Sequence, residues 1–341
     1  MKKRILGLTI ALMALAGVAA AALSLTGAGA TFPYPMYSKW FSEYHKLHGD
    51  VEINYQSIGS GGGIKQVTEG TVDFGATDGP MDDGQLAEFK TKRGSEVLHF
   101  PTVMGAVVPT YNVPGVTGEL NFTGEALAGI YLGKIKKWND PAIAGANPGV
   151  KLPGSDIVVI HRAESSGTTF IWVDFLAKVS PEWKEKVGAK TAVNWPTGMG
   201  AKGNEGVAGQ IKQTENTIGY VELIYAIQNR MSYGKVKNPA GAFVKADLAS
   251  VTAAAAGAAA HMPEDFRVSI TNAPGKDAYP ISSFTWLLVP NKFQDPAKGK
   301  AVKDFLTWML GKGQEQAAVL SYAPLPKTVV AKEVKAISKI Q

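Results

Sequence analysis

The chain has 341 residues, of which 45% are hydrophobic and 19% charged, with 35 Lys and Arg against 29 Asp and Glu for a formal charge of +6. That balance excludes a disordered chain and leaves room for two domains, each with its own core. Cysteine is absent, which excludes disulfides, thiol nucleophiles, cysteine metal sites and a lipid-bearing cysteine behind a leader.

Met1-Lys2-Lys3-Arg4, the apolar run from Ile5, and Ala20-Ala21-Ala22 have the basic start, greasy middle and small-residue end of a secretory signal peptide. Residues 1–22 are therefore read as a leader, since the apolar core is short for a membrane span. Removing Lys2, Lys3 and Arg4 lowers the formal charge from +6 to +3. That is too little to suggest nucleic acid, and no basic run is interleaved with aromatics. A leader without a lipid anchor places the mature chain free in a periplasm.

Leu25 to Pro33 reads as a short strand and a Gly-rich turn, after which Pro35 suits the first turn of a helix. Tyr37, Trp40, Phe41, Tyr44 and Leu47 repeat at the spacing of one helical face, closing at Gly49. Val51 to Tyr55 alternates like a strand, and Ser57-Ile58-Gly59-Ser60-Gly61-Gly62-Gly63 turns into a helix that runs to Gly70. Adjacent glycines let a backbone come close to a ligand and aim several N–H groups at one point. The dinucleotide fingerprint fails, because Ile64 stands where its third glycine is required. Thr71 to Asp78 reads as a strand ending in a carboxylate, at the end of an α/β strand where ligands sit.

Phe100 to Pro109 is a buried run suited to carrying the chain from one lobe to another. Leu127 to Trp138 reads as a helix with a Lys-rich end at Lys134 to Lys137, a candidate partner contact. Ile157 to Ile160 is a strand, and Phe170 to Leu176 a helix packed on a sheet. Between them His161-Arg162-Ala163-Glu164-Ser165-Ser166-Gly167-Thr168-Thr169 lies at a strand-to-helix junction. The first N–H groups of a helix lack partners and the dipole is positive there, so the junction suits an anion. Arg162 adds a planar fork of donors, and Glu164 is close enough to orient it. Residues 197–209 are rich in glycine, Ile218 to Val221 and Ile281 to Pro290 read as strands, and helices are expected at 253–260, 297–310 and 313–320. Alternating strand and helix gives an α/β fold, and the runs at 100–109 and 281–290 suggest two crossings between lobes.

Taken together, five stretches in order resemble the periplasmic phosphate-binding proteins of bacterial high-affinity phosphate uptake: 27–33, 59–62, 72–78, 138–141 and 162–168. The resemblance covers essentially the whole mature chain. It implies a two-lobed periplasmic-binding-protein fold of type II-like form, the ligand lying in a cleft between lobes joined by crossing strands. The implied lobes are 23–105 plus 282–341 and 106–281. The implied phosphate ligands are Thr31, Phe32 (through its N–H), Ser60, Asp78, Arg162, Ser166, Gly167 and Thr168, with Glu164 in support. Many members have Asp where this chain has Glu164 and Gly where it has Ser165. The implied partners are phosphate, a membrane permease and its ATPase, with a monomeric protein, no cofactor and no nucleic acid.

Phosphate near neutral pH keeps at least one proton, whereas sulfate keeps none, and an ionised carboxylate only accepts hydrogen bonds. Asp78 beside the anion therefore favours phosphate and repels sulfate. An enzyme using Ser60, Ser166 or Thr168 as nucleophile is the rival class. No Gly-x-Ser-x-Gly elbow occurs, and the nearest histidine, His161, is expected to face the sheet. His45 and His48 share a helix face without a third ligand, a weak metal signal.

Overall fold

The structure, a computed structural model, describes residues 22–341. The leader reading falls, apart from Ala22, outside the described residues. Among the described residues no helix is long and apolar enough to cross a membrane.

The first half alternates strand and helix: Leu23–Gly29, Tyr34–Leu47, Val51–Ser57, Ser60–Glu69, Phe74–Thr77 and Asp83–Arg93. Its strands pair in parallel, with Leu23–Gly29 between the other two. The second half repeats the scheme with strand Val158–Arg162, helix Gly167–Val179, strand Met199–Ala201, helix Gly203–Gln213 and strand Thr217–Glu222. Here Val158–Arg162 lies between its two parallel partners.

One strand joins the halves. Val97–Asn112 pairs antiparallel with Ser282–Pro290 from residue 97 to 106, then with Thr217–Glu222 from 107 to 112. The return passes the same point, where Val107 N–H donates to the Ile281 carbonyl at 2.9 Å. Only the start of the 281–290 run is thus a crossing. The rest is a fully buried strand inserted between Phe74–Thr77 and Val97–Asn112. Residues 262–267 also return early: Phe266 is buried, its carbonyl accepts from Trp286 Nε1 at 2.9 Å, and Arg267 pairs with Asp83 at 2.9 Å.

Both halves are built on aromatic residues. Met36, Tyr37, Trp40, Phe41 and Tyr44 are buried, with Phe41 against Phe74 and Phe305 at centroid distances of 6.1 and 5.4 Å. Leu47, expected in that stripe, is exposed. In the second half Trp172 stacks on Tyr220 at 5.1 Å, with Tyr131 5.3 Å from Trp172. Each large apolar side chain so buried contributes about 1.5–3 kcal/mol.

Not every element is as expected. Gly27 and Gly29 belong to the strand Leu23–Gly29 rather than to a turn, pairing with strands on both sides, and the Phe74 ring packs where a Gly27 side chain would stand. The 127–138 helix is instead Gly124–Tyr131, and Gly133, with φ +72°, turns the chain so that Lys134 to Lys137 lie outside it. A last helix, Lys327–Ile337, went unread. It buries Glu333, whose two carboxylate oxygens have no hydrogen-bond partner among the described residues. Burial lifts that carboxyl well above its ordinary range. A raised acid contributes stability at low pH that is lost as pH rises through its folded pKa. Glu333→Met should therefore raise Tm, by more at about pH 8 than at about pH 5 in paired thermal melts.

Candidate anion-binding cleft

Four helix N-termini meet where the halves touch. Thr31 and Phe32 precede helix Tyr34–Leu47, and Ser60 opens helix Ser60–Glu69. From the other half, Ser166 caps helix Gly167–Val179, and Gly203 and Asn204 open helix Gly203–Gln213. Asp78 directly follows the strand Phe74–Thr77, and Arg162 ends the strand Val158–Arg162. Thr31, Phe32, Ser60, Asp78, Arg162, Ser166 and Thr168 are all buried. The predicted residues of both halves thus share one enclosed place.

The contacts across that place are direct. Ser60 Oγ accepts from its own half through Asp78 N–H at 3.2 Å and from the other half through Gly167 N–H at 3.0 Å. Gly61 N–H donates to the Ser165 carbonyl at 3.1 Å. The Thr31 carbonyl accepts from the Tyr225 hydroxyl at 2.6 Å. A side chain at Gly167 would place its Cβ 2.6 Å from both the Cβ and the backbone nitrogen of Asp78, so the approach requires glycine.

Arg162 is held on two sides. Its Nε donates to Glu164 Oε1 at 2.9 Å, Nη2 bonds the same oxygen, and Nη1 donates to Thr168 Oγ1 at 3.1 Å. Nη1 and Nη2 each keep a second N–H that these bonds do not use. Glu164 Oε1 also accepts from Gly203 N–H at 3.0 Å. Burial opposes the Glu164 charge, but Arg162 and these bonds hold its carboxyl below the ordinary range. The longer acid thus reaches the guanidinium from two residues away.

Asp78 Oδ1 accepts from the Thr285 hydroxyl at 2.8 Å, while Oδ2 is buried with no partner among the described residues. Burial pushes this carboxyl up to about 7, against the pull of Thr285, Arg162 and Ser60. Ser166 Oγ serves the helix itself, accepting from Thr169 N–H at 3.1 Å. His161 stacks on Trp195 at 4.7 Å, with Nδ1 3.0 Å from the Arg162 carbonyl oxygen. His45 Nδ1 lies 2.7 Å from the Val51 carbonyl oxygen and His48 stacks on Tyr44.

The sequence reading missed Asn204, Glu222, Tyr225 and Thr285. Asn204 Nδ2 donates to Thr31 Oγ1 at 2.7 Å and Thr168 Oγ1 at 3.2 Å, and its Oδ1 accepts from Glu222 N–H at 2.9 Å. Glu222 is a buried acid at the point where the joining strand changes partner, its carboxyl lifted well up by burial. A Gly-rich run was the one local signal for Asn204, and the others carried none.

Residues 15–312 match a family described as a PBP superfamily domain. The chain is similar to the "Phosphate-binding protein PstS" of Xylella fastidiosa strain Temecula1, with 48% identity over 309 residues covering 90% of this chain and 83% of that one. Among solved structures, the fold is similar to the periplasmic phosphate-binding protein PfluDING with phosphate bound, at TM-score 0.71 and 22% identity over 92% of this chain and 93% of that one. It is also similar to a Clostridium perfringens protein assigned to a phosphate ABC transporter and solved with phosphate, at TM-score 0.64 and 18% identity over 89% of this chain and all of that one. With its own fold the two-lobed α/β form of those structures, the chain belongs to the PstS family of phosphate-binding proteins within the PBP superfamily.

Proposed function

We propose that this protein captures inorganic phosphate in the cleft between its lobes, in the periplasm, and delivers it to a membrane permease driven by an ATPase. One observation carries the reading: both halves send helix N-termini and strand ends to one buried point that holds the Arg162 guanidinium and an Asp78 carboxyl oxygen with no partner among the described residues. Burying an anion is costly unless its oxygens meet donors. The N–H groups at the helix starts, the hydroxyls of Thr31, Ser60 and Thr168, and the spare N–H groups of Arg162 supply them. Glu164 offsets the Arg162 charge, so the site attracts an anion largely through oriented dipoles.

The lobes are taken as 23–105 plus 282–341 and 106–281. Supporting that division is the change of strand partner between Ala106 and Val107. The placement of residues 262–267 against Trp286 and Asp83 favours assigning that short strap to the first lobe. A receptor without enzyme activity fits the occupied state of the candidate nucleophiles. Ser60 Oγ takes two backbone N–H groups, Ser166 Oγ caps its helix, and Thr168 Oγ1 takes Arg162 and Asn204. None has a histidine base among these partners.

The test is calorimetric titration of protein stripped of ligand by unfolding and refolding. Phosphate should bind 1:1, and no heat from phosphate would reject the reading. Sulfate brings no proton, so its binding needs Asp78 protonated, a form populated below its pKa of about 7. Arg162, Glu222, Tyr37, Tyr55 and Tyr322 are the charged or titratable groups found to share its surroundings among the described residues. Sulfate affinity should then rise as pH falls from about 8.5 to about 5.5, while phosphate affinity changes far less. Asp78→Asn, which keeps a donor at every pH, should bind sulfate at both and flatten that dependence. Gly167→Ala should keep its ligand-free Tm within a few degrees yet lose phosphate affinity by about a hundredfold or more, because the added methyl opposes closure on Asp78.

A further inference from the structure

Asn204 is fully buried, and its amide orientation is fixed by chemistry. Glu222 N–H can only donate, so the atom 2.9 Å from it must be the amide oxygen. The NH2 group therefore points to Thr31 Oγ1 and Thr168 Oγ1, at 2.7 and 3.2 Å. Those two threonines belong to opposite halves of the molecule. Thr168 Oγ1 also accepts from Arg162 Nη1 at 3.1 Å. A hydroxyl oxygen accepts two hydrogen bonds and donates one. With Arg162 and Asn204 filling its lone pairs, the Thr168 hydroxyl keeps only its proton to offer. Thr31, once it accepts from Asn204, likewise offers its proton elsewhere.

We infer that Asn204 is a positioning residue for phosphate: it turns the Thr31 and Thr168 hydroxyls into donors facing the anion and ties the lobes together once they close. The inference rests on the phosphate reading above. Because Thr31 and Asn204 sit on different halves, their bond exists only in the closed form. Asn204 therefore governs release and leaves capture by the open form almost untouched. Its amide oxygen is anchored on Glu222 N–H, beside the point where the joining strand changes partner.

The test is stopped-flow phosphate binding by the stripped protein, with ligand-free thermal melts as a check on folding. Asn204→Ala should raise koff by about tenfold or more while kon stays within about threefold. In a Thr31→Val, Thr168→Val background the same substitution should change koff by less than about twofold, since its effect passes through those hydroxyls. An equal effect in both backgrounds, or an unchanged koff in the single variant, overturns the inference while the phosphate reading stands. Failure of the unsubstituted protein to bind phosphate overturns both. If Asn204→Ala does not fold, the side-chain amide of Asn204 in the unsubstituted protein decides by NMR. Its NH2 protons should become protected from exchange on phosphate addition, and continued fast exchange in the complex rejects the clamp.

Discussion

A guanidinium almost wholly out of water is the constraint from which the rest of the site follows. Taking a charge out of water costs several kcal/mol unless it is paired and its hydrogen bonds are met. Arg162 is 2% exposed, and it meets that demand through Glu164 and Thr168. Glu164 in turn needs its own donors, and the Gly203 N–H is one of them. That bond draws the start of helix Gly203–Gln213 into the cleft and brings Asn204 with it. On the facing side, Gly59 has φ +92°, and a Cβ there would lie 2.9 Å from Glu164 Cγ. The bare loop of the first half can therefore come down onto the ion pair.

The same enclosure sets where protons reside. Asp78 and Glu222 are both buried and each disfavours the other's charge, so the neighbourhood holds protons that exposed carboxyls would release. On the phosphate reading, a cleft of this kind would sort anions by the protons they carry. Charge attraction alone would not achieve that, since Arg162 already has a partner in Glu164.

Much of the cleft was legible because its parts are local. Ser166-Gly167-Thr168 is a helix cap written in consecutive residues, Arg162 stands at the strand end just before it, and Ser60 lies in a run of glycines that has few other uses. Asp78 was legible as the last residue of an apolar strand. Asn204, Thr285 and Glu222 were not, since an asparagine in a first helical turn or a threonine in a buried strand looks the same whether or not it meets a ligand loop. Their significance arises from partners such as Thr31, 173 residues away from Asn204. The fold class followed from alternation of strand and helix. Of the misread elements, the 127–138 helix stops short at the local turn of Gly133, while Gly27 lies in a strand where the distant Phe74 ring takes its side-chain space.

The strand Ser282–Pro290 lies between Phe74–Thr77 and Val97–Asn112, so the N-terminal sheet is finished by a piece from near the other end of the chain. Until that piece arrives, the two strands that flank it have open edges and nothing to bridge them. Synthesis alone cannot complete the first lobe, however long its own residues have been available. Long-range pairing of this sort delays the folding nucleus, because a large loop must close before the contacts repay its lost entropy. A strand that starts at Ser282 therefore leaves the pairing of Phe74–Thr77 and Val97–Asn112 unfinished until most of the chain has been made.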